Sequence, residues 1–273
     1  MKIKDDASAD EVREFYESDL PRRVRARLHG NRRIDKAVDF MTNRVDESAR
    51  LLDIGCGIGM ATEKLASRAS DGQVWAVDIS PEHIDYCQRT IDRDNIRFRT
   101  LDVIEEFDAL RKWIGAKLDV ITMVDVIEHL PRKKARVLFD RLSELLADDG
   151  RILLTYPSPL YQRHLYETPG SRIQAIDLVI EHDDIVELAE GADCVIRHFS
   201  YVDVWRRNQY IHCELARQMS CERFERWEDW PHGSVGDRAE LCAEFLRNKI
   251  RSALRPLRRR KYIISGPEDD EST

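Results

Sequence analysis

Residues 51–62, Leu51-Leu52-Asp53-Ile54-Gly55-Cys56-Gly57-Ile58-Gly59-Met60-Ala61-Thr62, decide how the rest of the chain is read. An apolar run of strand length meets a turn with glycine at three alternate positions, and an amphipathic stretch follows at once. Glycine has no Cβ, so it tolerates positive φ and lets a ligand come close to the backbone. The first N–H groups of the following helix lack intrahelical partners and can receive polar atoms of a cofactor. The spacing is not G-x-G-x-x-G, and no Lys followed by Ser or Thr closes the turn, so neither the dinucleotide fingerprint nor a Walker loop is matched.

Downstream, Ala61 to Ala69 reads as helix, and Gln73-Val74-Trp75-Ala76-Val77 as a second strand that ends in Asp78. An acid about twenty residues past such a turn can accept both hydroxyls of a ribose. Asp78 also competes as a helix cap, but Ser80-Pro81-Glu82 is itself a good helix start and leaves Asp78 available. Helix is expected over 81–91 and 132–146, and strands at 96–99, 118–123 and 150–156. Asp102 falls at the carboxyl end of the third strand, on the rim where open sheets bind ligands. Residues 157–181 show no firm periodicity before Ile176 and form a substrate-side insert. Helix 183–189 and a strand pair, 194–205 and 209–216, complete an α/β pattern.

Upstream, residues 10–17 read as a short helix broken near Pro21, and Ile34, Val38, Met41 and Val45 mark the buried face of a helix over 31–45. Tyr16, His29 and Asn31 lie before or at the start of that helix, where they either cover a cofactor or simply sit on the surface. Residues 237–254 read as a helix in a C-terminal extension, with Trp227 and Trp230 before it and an acidic run, 268–271, after it.

With 273 residues and 42% hydrophobic content, the chain can bury a full core. Six cysteines without a C-x-x-C pair, and a charged N-terminus without a secretory apolar segment, point to a reducing cytoplasm. No apolar run is long enough to span a membrane. The net charge of -7 argues against general nucleic-acid binding, although residues 22–36 and 247–261 are strongly basic.

Together, Leu51-Leu52-Asp53-Ile54-Gly55-Cys56-Gly57-Ile58-Gly59, Val77-Asp78-Ile79-Ser80, Leu101-Asp102-Val103, Asp125-Val126-Ile127-Glu128-His129-Leu130 and Leu153-Leu154-Thr155-Tyr156-Pro157 closely resemble the class I S-adenosylmethionine-dependent methyltransferases, in the family's order, over about three fifths of the chain. The resemblance implies a Rossmann-like, seven-stranded, mostly parallel sheet with an antiparallel seventh strand and helices on both faces. It implies an N-terminal helical segment and lid (1–48), a methyltransferase domain (49–216) with the insert at 157–181, and a C-terminal extension (217–273). Carried over by position, Asp53 and the turn of Gly55, Cys56, Gly57 and Gly59 hold the methionine portion of the cofactor. Asp78, with Ile79 beside it, holds the ribose, Asp102 and Val103 the adenine, and Asp125 with Val126 closes the methionine side. S-adenosylhomocysteine is the implied product.

The expected chemistry is one displacement at the sulfonium methyl, in which the protein aligns the acceptor and removes its proton. His129, just past the fourth strand and with an ordinary pKa near ~6.5, is the leading candidate base, with Tyr16 and His182 as further catalytic candidates. Tyr156, Tyr161, His164 and Tyr166 are the candidate substrate contacts. A lesser alternative places a divalent metal on Asp125, Glu128, His129 and His182, a mixed oxygen and nitrogen set. A small-molecule hydroxyl is the expected acceptor. An RNA 2'-hydroxyl and a lipid-surface substrate with peripheral membrane contact are the alternatives, and a homodimer through the Trp-rich tail is plausible.

Overall fold

The strands alternate their apolar side chains between two faces, and this period of two builds the molecule. In β1 (Arg50–Ile54), Leu52 and Ile54 point to one face. They meet Trp75 and Val77 of β2 (Gln73–Asp78), Ile121 and Met123 of β4 (Leu118–Val124), and Ile152, Leu154 and Tyr156 of β5 (Leu146–Pro157). Leu51, Val74, Val120 and Leu153 point to the opposite face. The parallel register sets Leu52 opposite both Trp75 and Ile121. With β3 (Ile96–Thr100), β6 (Cys194–Val202) and β7 (Tyr210–Arg217), the sheet has seven strands in the order β3-β2-β1-β4-β5-β7-β6. Strand β7 runs antiparallel to both of its neighbours. This computed structural model describes residues 9–169, 174 and 176–217. The expected C-terminal helix, the tryptophans of the tail and both charged C-terminal runs lie outside the described residues.

Helices cover both faces. On one, α2 (Arg32–Thr42) and α3 (Met60–Arg68) pack over Leu51 and Val74. Ile34, Val38, Met41 and Val45 are all buried there, as their spacing requires. On the other face lie α5 (Phe107–Ile114), α6 (Arg132–Leu142) and, after α7 (Pro159–Glu167), α8 (His182–Gly191). Between β2 and β3, α4 (Pro81–Thr90) starts as its sequence dictates: Ser80 accepts a hydrogen bond from the His83 N–H, and Pro81 takes the first helical position.

Three elements depart from the sequence reading. The N-terminal helix α1 (Ala9–His29) runs through Pro21 instead of breaking near it. A proline inside a helix removes one backbone bond, and here the flanks are tied down: Arg22 donates to Asp19 at 2.6 Å, and Arg27 donates to Glu63 at 2.5 Å and to the Ile58 carbonyl at 3.1 Å. Helix α5 was not expected; Phe107, Leu110 and Ile114 form its buried stripe. Helix α7 occupies the insert that showed no period, and it begins at Ser158-Pro159, the same start signal as Ser80-Pro81.

Candidate functional site

A cavity of about 550 Å³ crosses the carboxyl ends of β1, β2 and β4, the rim where parallel sheets receive ligands. Its first half is largely backbone. Gly55, Gly57 and Gly59 all have positive φ, at 70, 54 and 74°. A Cβ on Gly55 would sit 2.5 Å from Val126 Cγ2, and one on Gly59 would sit 2.4 Å from Ile91 Cδ1. The bare Gly55 leaves room for Val126 at the cavity wall, and the bare Gly59 lets the turn pack against Ile91 and Cys87.

Two acids brace the turn. Both oxygens of Asp53 accept threonine hydroxyls, from Thr62 at 2.6 Å and Thr122 at 2.8 Å. Burial pushes its carboxyl up to about 6 against the pull of those two bonds. Asp78 accepts the Gly57 N–H at 2.8 Å and the Ser80 N–H at 2.9 Å, and lies 3.3 Å from His83 Nδ1. Burial opposes its ionisation, but the His83 ring and the two N–H groups outweigh burial and hold its carboxyl below the ordinary range. Asp78 is thus an ionised acceptor at the cavity wall with lone pairs left for hydroxyls. Asp102 accepts the Ile104 N–H at 2.9 Å, and it lines the cavity with Ile79 and Val103.

At the join between the halves stands Asp125, a non-glycine residue with φ 54°. That conformation costs of order 1 kcal/mol. Its N–H donates to the Thr155 carbonyl at 2.8 Å, the Thr155 hydroxyl donates to it at 3.2 Å, and Arg33 of α2 forms an ion pair with it. Cys56 and Val126 also line this region.

The second half is built from side chains. Glu128 and His129 stand on a 3₁₀ turn (Ile127–His129) and are both buried. Burial first, with a smaller push from Asp177, raises the Glu128 carboxyl to about 8. Burial lowers the His129 ring to about 4. His129 Nδ1 is 2.7 Å from the Ile176 carbonyl, and Nε2 is 3.0 Å from the Gln174 amide nitrogen. A carbonyl accepts only, so Nδ1 carries the proton and Nε2 accepts from Gln174. Tyr161, Gln162, Asp177 and Tyr210 complete this end.

The structure brings His129, Tyr161 and every cofactor candidate except Gly59 to the cavity, but sets four others apart. Tyr156 is fully buried under the opposite face of β5, because alternation turns Pro157, not Tyr156, toward the cavity. His164 and Tyr166 sit on faces of α7 that do not line it, and His164 accepts no role beyond its own helix, where Thr168 approaches it at 3.5 Å. His182 starts α8, 3.0 Å from the Tyr201 hydroxyl, and is exposed outside the cavity. The side chain of Tyr16 lies outside the description. Among the described residues, no group of three or more His, Cys, Asp or Glu side chains is arranged to hold a metal ion: Asp125 faces Arg33, and His182 is not in the cavity. In the basic run of residues 22–36, Arg22, Arg23, Arg27 and Arg33 are engaged in ion pairs, whereas Arg25 and Arg32 are exposed.

Comparison with known proteins agrees with this geometry. A family model described as a methyltransferase domain matches residues 52–152, the span from β1 into β5 that carries the glycine turn, Asp78, Asp102 and Asp125. Residues 52–152 thus form a methyltransferase domain of the S-adenosylmethionine-dependent type. The ubiquinone biosynthesis O-methyltransferase of Xylella fastidiosa (strain M23) is 26% identical over 224 residues, which is 80% of this chain and 79% of that protein. In fold, the methyltransferase is similar to an S-adenosylmethionine-dependent methyltransferase from Anabaena variabilis, with a TM-score of 0.60 at 18% identity over 80% of this chain and 98% of that one. It is similar also to magnesium protoporphyrin IX methyltransferase from Synechocystis, with a TM-score of 0.55 at 20% identity over 80% and 99% of the two chains.

Sequence reasoning about this methyltransferase passed over Arg33, Gln162, Gln174 and Asp177. Gln162 was within reach, since Ser158-Pro159 announces α7 and residue 162 follows Pro159 by one turn on its buried side. Gln174 and Asp177 lie in a segment without regular structure, where no periodicity marks a buried residue.

Proposed function

We propose that this methyltransferase acts on a hydroxyl oxygen of a small molecule, with Glu128 as the group that takes the proton. The observation that carries the reading is the second half of the cavity, where Glu128 is a lining residue and its buried carboxyl oxygen Oε2 has no hydrogen-bond partner among the described residues. The volume of the whole cavity suits a cofactor and a small acceptor, and pockets of ~300–1,000 Å³ are usual for such ligands. The similarity to an O-methyltransferase of ubiquinone biosynthesis supports oxygen as the acceptor atom.

S-adenosylmethionine, when bound, supplies a methyl group on a positively charged sulfur that departs as a neutral thioether. Asp78 would accept the ribose hydroxyls, Asp102 would hold the adenine, and the turn of Gly55, Cys56 and Gly57 would receive the remainder against its backbone. The lid helix α1 contributes Phe15, Asp19, Arg22 and Arg23 to the cavity and excludes water. A carboxyl raised to about 8 is a stronger base, once ionised, than an ordinary carboxylate. His129, expected as the base, instead has its Nε2 engaged by Gln174 and its ring held neutral. It acts as a positioning residue for the wall of the acceptor site.

No helix among the described residues is long and apolar enough to cross a membrane. Cys56, Cys87, Cys194 and Cys213 are free thiols, which supports placement in the reducing cytoplasm. A homodimer and a peripheral lipid contact are carried by residues 218–273 in this reading; sedimentation of the full chain at two concentrations, with and without liposomes, tests both.

The deciding experiment pairs calorimetric titration of S-adenosylhomocysteine with release of that product from S-adenosylmethionine over a library of hydroxylated small molecules. Binding with turnover on one class of hydroxyl is expected. Binding with turnover on amines or on RNA alone ends the hydroxyl reading.

A further inference from the structure

Among the described residues, three buried side-chain oxygens at the acceptor end have no hydrogen-bond partner: Glu128 Oε2, Gln162 Oε1 and Gln174 Oε1. All three residues line the cavity. Buried polar atoms are nearly always paired, and one left unmade costs about 1–3 kcal/mol. Three at one place, contributed by the turn after β4, by α7 and by the segment before α8, mark a site where a ligand supplies the donors.

The oxygens are aimed by the protein. The Ile176 carbonyl fixes the His129 proton on Nδ1, His129 Nε2 then takes the amide N–H of Gln174, and the Gln174 oxygen is left facing away from the ring. The Gln162 amide nitrogen reaches the Asp177 carbonyl at 3.5 Å, which commits its donor end and leaves its oxygen. The surrounding charge is mixed. Arg23 and Arg33 act on this corner and disfavour a cation, as their effect on the His129 ring shows, while Asp177 disfavours an anion, as its effect on Glu128 shows. A neutral, donor-rich ligand answers both conditions.

We propose that the acceptor is a neutral molecule with at least two neighbouring hydroxyl groups, one set against Glu128 Oε2 and the other held by the oxygens of Gln162 and Gln174. The two glutamines are then specificity-determining residues, a role that rests on the methyl-transfer reading above. The hydroxyl against Glu128 loses its proton to that carboxylate while its oxygen bonds to the methyl carbon; the carbon–sulfur bond breaks and its electron pair goes to sulfur. The second hydroxyl keeps its proton. The product has lost the donor that faced Glu128, so a buried oxygen is left unpaired when it rebinds, and the enzyme stops at one methylation.

The test is calorimetry on the full chain saturated with S-adenosylhomocysteine, using two matched pairs of probes, phenol with catechol and cyclohexanol with cis-1,2-cyclohexanediol, and benzylamine as the cationic comparison. In at least one pair the diol is expected to bind about 10-fold more tightly than its mono-ol, an advantage that shrinks to about 2-fold in Gln162→Met and in Gln174→Met. Equal affinity within both pairs, an advantage that survives both substitutions, a preference for benzylamine, or no binding by any probe overturns the proposal. The first titration separates the two readings. Failure to bind S-adenosylhomocysteine takes both down, whereas its binding without a diol advantage removes this inference alone.

Discussion

The cofactor half of the cavity is walled by backbone from one short stretch, with Gly55, Gly57 and Gly59 at positive φ and Asp78 bound to two backbone N–H groups. The acceptor half is walled by side chains, Glu128, Gln162, Gln174 and Asp177, brought from positions up to about fifty residues apart. In the first half nearly every polar atom already has a protein partner; in the second, three oxygens wait for one. A ligand of fixed chemistry is held by a fixed backbone shape, whereas the variable ligand is chosen by side chains that can change without disturbing the sheet.

The widest separation between the halves is expected from Glu128→Gln. It keeps the shape and removes the base, so kcat falls by about 10²–10³-fold while affinity for S-adenosylhomocysteine stays within about 2-fold. The wild-type kcat/KM rises with pH through about 8, since the ionised carboxyl is the active form, and this rise disappears in the variant. Stability gives a second sign. The folded value is raised above the ordinary 4.5, so the folded state is favoured at acid pH and loses that advantage as pH climbs from about 4.5 to about 8. Glu128→Gln is therefore expected to melt higher than wild type at pH 9 and to converge with it near pH 4. A wild-type rate that is flat from pH 6 to pH 9 assigns the proton to another group.

Asp78→Ala is the mirror experiment. It removes the charged acceptor for two hydroxyls and frees the Gly57 and Ser80 N–H groups, a loss of about 3 kcal/mol or roughly 100-fold in S-adenosylhomocysteine affinity. Gly55→Ala sharpens the backbone side of the comparison. Its Cβ meets the stiff Val126 side chain at 2.5 Å in a backbone with φ 70°, and about 10-fold weaker cofactor binding is expected. The second change Val126→Ala recovers the part due to the clash and leaves the part due to φ; full recovery would mean that the turn has no conformational demand of its own.

The same division governs what could be read from the sequence. The glycine turn, Asp78, Asp102 and Asp125 were legible because strand periodicity, glycine chemistry and an acid at a strand's end each leave a local trace, and all but Gly59 line the cavity. The buried stripe of α2 was legible from its spacing. Helix α1 was misjudged because a proline penalty is local, whereas the bonds of Arg27 that tie the helix down go to Ile58 and Glu63, residues far along the chain. His129 was found by position, but its tautomer was not. Which ring nitrogen holds the proton depends on the Ile176 carbonyl, 47 residues away, and no pattern in the sequence announces that contact.

Tyr156→Phe, the change with the smallest expected effect, tests the boundary between the acceptor half and the core. As a residue at the carboxyl end of β5, Tyr156 was expected to touch the substrate, but its ring packs with Ile152, Leu154 and Ile211, and its hydroxyl has no hydrogen-bond partner. Burial pushes the phenol far above its usual range, so it neither ionises nor serves as an acid at working pH. Removal of an unpaired buried hydroxyl deletes a desolvation cost and leaves the ring packing in place. The variant is therefore expected to keep kcat/KM within about 2-fold and to melt at the same temperature or higher. A drop in kcat/KM of about 10-fold with an unchanged melting temperature would place the hydroxyl in contact with the acceptor, and the division between a cavity face and a core face of β5 would have to be redrawn.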